Sequence, residues 1–198
     1  TQKHGTFSVW GKPGQPKVQA VYGFTGMIYK HLEATSLGRD DLIFAREKVR
    51  ILSGLYGVLA PFDLIEAYRL EMGCKLSVDG YTNLTRFWKD ILADRLQKEL
   101  SPDEPILSVA SQEYMKAVDF KKLNHPVILP VFKEFRSDGS YKNAVVHAKK
   151  ARGAIIRYAI ENRVEKISDL MGFSAMGWRP ATPIPDYGVW LFTRPENQ

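Results

Sequence analysis

Apolar positions recur at helical spacing in three long stretches of the chain. Over residues 40–52, Leu42, Ala45, Val49 and Leu52 repeat at intervals of three and four, with Arg46, Glu47, Lys48 and Arg50 between them. Asp40 and Asp41 stand where a short carboxylate caps the start of that helix. Over residues 86–100, Trp88, Ile91, Leu92, Leu96 and Leu100 form one apolar stripe, and Pro102 ends it. Over residues 148–164 there are two arcs: a broad one of Ala151, Ala154, Ile155, Tyr158 and Ala159, and a smaller one of Gly153, Ile156 and Ile160 opposite. A helix apolar on two sides is largely buried, so its charges must emerge along narrow edges. Residues 27–34 and 112–118 predict shorter helices, the second opened by Ser111 as a cap. Alternating or continuously apolar runs predict strands at residues 18–22, 106–110, 127–135, 141–147 and 189–193. Ser137-Asp-Gly-Ser140 is the hairpin turn between the third and fourth of these. Residues 1–17 read as loop with Trp10 as an anchor, residues 170–178 as turns, and residues 179–185, with three prolines, as loop. Residues 68–72 fit a helix or a strand.

Two glycines three apart, Gly54 and Gly57, interrupt the first helix within Leu52-Ser-Gly-Leu-Tyr-Gly-Val-Leu59. A polar helix, a glycine-broken turn and a second apolar segment are what a helix-hairpin-helix requires. In such an element the backbone N–H groups of Leu55, Tyr56, Gly57 and Val58 are free to hold a phosphate, and Arg50 and Ser53 stand beside them. The plainer reading is a helix cap at Gly54, a second turn at Gly57 and a buried cluster of Leu55, Val58 and Leu59.

Charge sharpens the picture. The 198 residues carry a net +6, which favours an anionic partner. Between Lys142 and Lys166 there are seven basic and two acidic residues, so most of that excess sits on and around the third helix. Lys150 and Arg157 share one edge; Lys149, Arg152 and Arg163 share the other. The edges make either an anion-binding face or a solvated surface whose cations pair with Glu161 and Glu165. Arg69 and Glu71 form a further pair, either exposed or turned toward a ligand.

Other chemistry leaves no signature. His4, His31, His125 and His147 are scattered without further ligands at metal spacing, and no nucleotide-binding fingerprint or catalytic-triad order appears. Ser111 lacks the glycine flanks of a nucleophile elbow, so it reads as a cap. Cys74 is the only cysteine, which excludes an internal disulfide, fits a reducing compartment and reads as a plain thiol rather than a peroxide sensor. No apolar run reaches membrane-spanning length. The residues therefore predict a cytoplasmic protein without metal, cofactor, membrane or obligate protein partner. From length, one domain is expected.

The run Leu52-Ser-Gly-Leu-Tyr-Gly-Val-Leu-Ala-Pro-Phe-Asp-Leu-Ile-Glu-Ala-Tyr-Arg-Leu-Glu-Met-Gly73 resembles the signature of the YaaA family of bacterial peroxide-stress proteins. Phe87-Trp88, Ser108-Val-Ala-Ser-Gln-Glu-Tyr-Met-Lys116, Ala148-Lys-Lys-Ala-Arg-Gly153, Arg157 and Glu161-Asn-Arg163 support it. The resemblance spans residues 18–194. It implies a cytoplasmic DNA-binding protein with a helix-hairpin-helix and a basic cleft, linked to protection from hydrogen peroxide and limitation of free iron. Family members carry about sixty more N-terminal residues, with a Ser-Pro-Ala-Lys motif that is absent from this chain, which begins at Thr1 and is expected to be a fragment.

The combined expectation is an α+β fold: one domain with a mixed sheet, surrounding helices and a helix-hairpin-helix. The expected function is sequence-tolerant binding of duplex or branched DNA through Arg50, Ser53, Gly54, Leu55, Tyr56, Gly57, Val58, Arg69, Lys149, Lys150, Arg152, Arg157 and Arg163. The alternative is an enzyme acting on a phosphorylated or nucleotide-like small molecule, with Tyr56, Arg69, Glu71 and Glu113 in a pocket beside the basic helix.

Overall fold

The structure, a computed structural model, describes residues 14–196. The loop expected at the N-terminus lies outside this range as far as residue 13, and so does its anchor Trp10. The elements in chain order are β1 (Lys17–Gln19), α1 (Ala20–Gly23), α2 (Met27–Leu32), α3 (Arg39–Lys48), β2 (Ile51–Ser53), β3 (Gly57–Leu59), β4 (Leu64–Glu66), α4 (Leu84–Glu99), β5 (Ile106–Leu107), α5 (Gln112–Met115), β6 (Val127–Phe135), β7 (Tyr141–Asn143), α6 (Val145–Glu161), β8 (Arg179–Pro180) and β9 (Gly188–Pro195). The α+β class is as expected, and the sheet is mixed. The residues gather into two units, one built mainly from residues 45–100 and 110–123, the other from residues 25–44, 101–109 and 124 onward.

The second unit is organised on β6. It runs parallel to β5 and β9 and antiparallel to β7, and β8 pairs antiparallel with β9. Register places Pro130 beside Trp190, Phe132 beside Phe192 and Glu134 beside Arg194. These positions share one face because side chains alternate along a strand. That face is buried, and the core on it joins Ile128, Phe132 and Phe192 to Ala151 and Ile155 of α6 and to Phe173 and Trp178 from the short 3-10 turns. Phe132 and Phe192 stack at 5.2 Å, and Trp178 meets Phe132 edge-on at 5.3 Å.

The face also buries an ion pair. Arg194 donates from Nη2 to Glu134 Oε1 at 2.7 Å, and both side chains are below a tenth exposed. The guanidinium lies 4.7 Å from the Trp178 ring and donates to Met176 O. Charges this deep persist only when partnered on every side. The alternation expected for residues 189–193 is correct, but the strand runs on to bury Arg194.

Behind the sheet, α6 packs on α2. Gly153 makes the close approach: a Cβ there would lie 2.2 Å from Ile28 O. The absence of a side chain lets the two helix backbones meet.

The first unit holds two short antiparallel pairs, β1 with β4 and β2 with β3. Helix α4 is close to the bounds expected, with Asn83 accepting from Arg86 N–H as its cap. Several expectations need correction. The strand predicted at residues 18–22 ends at Gln19, because Ala20 and Val21 turn to donate to Asp63 O and Pro61 O. Residues 68–72 are neither helix nor strand. Ser111 occupies the cap position of α5, but its side chain makes no capping bond. The strand expected at 141–147 stops at Asn143, and α6 begins two residues later.

The main correction concerns residues 51–59. They form a β-hairpin, not the second half of a helix-hairpin-helix. Helix α3 stops at Lys48, before the glycines. Val49 and Ile51 are β-branched and favour extended backbone. Arg50 turns back to donate to the carbonyls of Arg46, Glu47 and Val49, closing the helix end. Beyond it, Ile51, Ser53, Gly57 and Leu59 face inward while Leu52 and Val58 are half-exposed, the period of two of a strand. The turn is Gly54-Leu-Tyr56, followed by Gly57 at φ 76°, in the left-handed region that favours glycine.

Candidate nucleic-acid interface

The hairpin is the first place where the sequence suggests a phosphate would sit, and two of its four suggested donors, the amides of Leu55 and Tyr56, are already engaged. Ser53 is fully buried, and its Oγ accepts from Leu55 N–H at 3.2 Å and Tyr56 N–H at 2.9 Å. A serine oxygen has two acceptor positions, and both amides are tied to it. Gly54 O accepts from Trp88 Nε1 at 2.9 Å, and a Cβ on Gly54 would meet Leu70 O at 2.6 Å. A Cβ on Gly57 would lie 2.7 Å from the Trp88 ring. Val58 pairs with Leu52 across the hairpin. Gly57 thus serves close packing on α4, and Gly54 a close approach of the Leu70 backbone. Arg50 is ion-paired to Glu99 in addition to its three carbonyls. Arg69 lies exposed, 3.5 Å from Glu71.

On the basic helix the cations divide into two sets. Arg157 donates to Leu32 O at 3.1 Å, Glu33 O at 3.1 Å and Ser36 Oγ at 2.8 Å, and pairs with Glu161 at 2.8 Å. It closes the C-terminal end of α2, whose last carbonyls lack helical partners. Arg163 donates to Asp41 Oδ1 and to Ile160 O, both at 2.6 Å, and lies over Phe44. The Arg163 hydrogen bond, with that from Gly38 N–H, holds the Asp41 carboxyl below its ordinary value. Both arginines are structural ties within the second unit.

Lys149, Lys150 and Arg152 form the other set. They occupy the first half of α6, and none has an ion pair or side-chain acceptor among the described residues. Arg152 and Lys150 are partly buried, while Lys149, beside Arg152 on the same edge, is exposed. Burial lowers the Arg152 guanidinium from its usual value, because loss of water disfavours the charged form. It stays cationic at neutral pH, and no carboxylate among the described residues offsets that cost. The cap residue Ala144 has no side chain to accept the opening N–H groups of α6. The expected basic site thus contracts to three adjacent cations beside an open helix start, an arrangement that attracts an anion.

Sequence reasoning did not single out Tyr68 or Tyr114. Tyr68 Oη lies 2.6 Å from Ser53 Oγ, and Tyr56 meets the Tyr68 ring edge-on at 5.4 Å. Tyr56 Oη accepts from Glu66 N–H. Nothing in the sequence pairs Ser53 with a residue fifteen positions on. Among the described residues no three His, Cys, Asp or Glu side chains gather as metal ligands, and no helix is long and apolar enough to cross a membrane.

A family model described as peroxide stress protein YaaA matches residues 1–182. A UPF0246 protein of Marinomonas sp. (strain MWYL1) is 45% identical over 90% of this chain and 68% of its own length. One from Colwellia psychrerythraea is 42% identical over 90% of this chain and 70% of its own length. One from Flavobacterium johnsoniae is 44% identical over 93% and 74%.

Proposed function

We propose that this chain, which belongs to the YaaA family of peroxide stress proteins, binds DNA by its phosphate backbone through the first half of α6. One observation carries the reading: Arg152 is half-desolvated, with no anion set against it among the described residues, and Lys149 and Lys150 flank it. A phosphate would supply the missing counter-charge. Contacts of this kind hold the backbone and read no bases, so the binding tolerates any sequence and weakens steeply with salt. The setting is the bacterial cytoplasm, where a bound protein would shield DNA from iron-driven oxidation. In this reading the hairpin packs on α4 and does not grip phosphate.

The test is a salt series with a short labelled duplex and a branched junction, followed by fluorescence anisotropy. The intact protein is expected to bind with a linear log–log salt dependence. Replacing Lys149, Lys150 and Arg152 by glutamine should reduce the slope by about 3, at roughly 0.9 for each phosphate no longer neutralised. An unchanged slope in that triple variant, or no binding by the intact protein at low salt, overturns the reading.

A further inference from the structure

The Ser53–Tyr68 pair in the first unit contains one proton too many for the contacts around it. Two hydroxyl groups hold two protons, and the 2.6 Å bond between them uses one. Ser53 is fully buried, and both acceptor positions on its oxygen are taken by Leu55 and Tyr56 N–H. The arrangement that satisfies the buried group has Ser53 donating to Tyr68. Tyr68 then presents its own O–H, which has no acceptor among the described residues. The ring is held by edge-on contacts to Tyr56 at 5.4 Å and Phe24 at 6.1 Å, so the hydroxyl keeps a fixed aim.

We propose that Tyr68 donates this hydrogen bond to a nucleobase, and that the first unit holds a site for a neutral heteroaromatic ring. Three features select that class. Aromatic rings dominate the surroundings and offer apolar and stacking surface. The neighbourhood carries negative charge: Tyr114, partly buried, is pushed up to about 12, first by burial, then by Tyr68, Glu113 and Glu71. An anionic group is disfavoured there, and a neutral one is not. Glu113 uses Oε1 to accept from Gly73 N–H, at 2.5 Å, and its second oxygen accepts from none of the described residues. A base edge carries an acceptor for Tyr68 beside an N–H for a carboxylate. The choice of a nucleobase over another heteroaromatic rests on the DNA-binding reading; the donor itself does not.

The probes are the common ribonucleosides and deoxyribonucleosides, and a short single strand as the second source of the same chemistry. Binding is read from the tyrosine ultraviolet difference spectrum of the intact protein and from calorimetry. A red shift on adding one of these probes, with affinity about 5- to 10-fold weaker in Tyr68→Phe, is the expected result. The phenylalanine variant keeps the ring packing, and its melting temperature reports whether it is folded. If it does not fold, the difference spectrum of the unaltered protein decides alone. The triple α6 variant should bind nucleosides as the intact protein does, which separates failure of this site from failure of the phosphate face. No spectral change with any probe at about millimolar concentration, or full affinity in folded Tyr68→Phe, overturns the proposal.

Discussion

The hairpin at residues 51–59 and the first half of α6 both stand out in the sequence as places to hold phosphate, and they handle polar groups in opposite ways. In the hairpin a single buried hydroxyl gathers two amides, Trp88 takes a glycine carbonyl, and Arg50 is consumed by three carbonyls and Glu99. Nothing of that set is left for a ligand except the Tyr68 proton at its border. On α6 and just past its end, Arg157 and Arg163 behave in the same inward manner, whereas Lys149, Lys150 and Arg152 have no counterpart among the described residues. Residue type therefore does not separate a structural arginine from a binding one. What separates them is whether carbonyls and carboxylates of neighbouring elements already saturate the guanidinium.

The contrast breaks first at Gly57. Gly57→Ala should cost about 3 kcal/mol, combining roughly 1–2 for a left-handed non-glycine residue with overpacking against Trp88. Thermal unfolding should shift down by roughly 10 °C, with the salt slope of DNA binding in the folded fraction unchanged. A changed slope at intact stability would return the hairpin to the binding face. A smaller effect is expected from a matched pair on α6. Arg157→Ala should lower stability by about 1–2 kcal/mol, since it leaves Leu32 O and Glu33 O without their donor. Arg152→Ala should leave stability unchanged or raise it slightly while weakening DNA binding. Equal losses of stability in the two variants would erase the distinction. The smallest effect concerns Asp41. Its carboxyl titrates below its ordinary value in the folded chain, first because of Arg163, so the pair stabilises fully above the ordinary carboxylate range. That contribution disappears as pH falls through the lowered value. Melting curves from neutral to acid pH should be flatter on the acid side for Asp41→Asn than for the unaltered protein.

The long amphipathic patterns translate most directly into structure. The stripe at residues 86–100 is α4, and the double arc at 148–164 is the buried α6, because each pattern is a direct projection of what the helix packs against. The hairpin turn at Ser137–Ser140 is equally legible, with Gly139 at φ 84°. Legibility ends where local pattern is ambiguous. Residues 49–59 mix helical spacing with β-branched side chains, and the outcome depends on Arg50 closing α3 and on Trp88 receiving two glycines that lie far back in the chain. The candidate site is legible as composition: a basic helix is visible, but not which of its cations find partners in α2 and α3. Ser53 with Tyr68, and Glu134 with Arg194, are long-range pairings that no local window contains.

The pairing of β6 with β9 joins partners such as Ile128 and Gly188, which lie far apart in the chain, and everything between them must find its place before the ladder can close. The hairpin of β2 and β3 joins near neighbours and carries its own clasp in Ser53. Closing a short loop is fast and a long one slow, so the first unit's turn can form during synthesis while the main ladder waits for β9 to leave the ribosome. During that interval the inner face of β6, with Ile128 and Phe132, is uncovered. This interval is when the chain most needs a chaperone, and substitutions in β9 would be felt as poor yield before they were felt as lost stability.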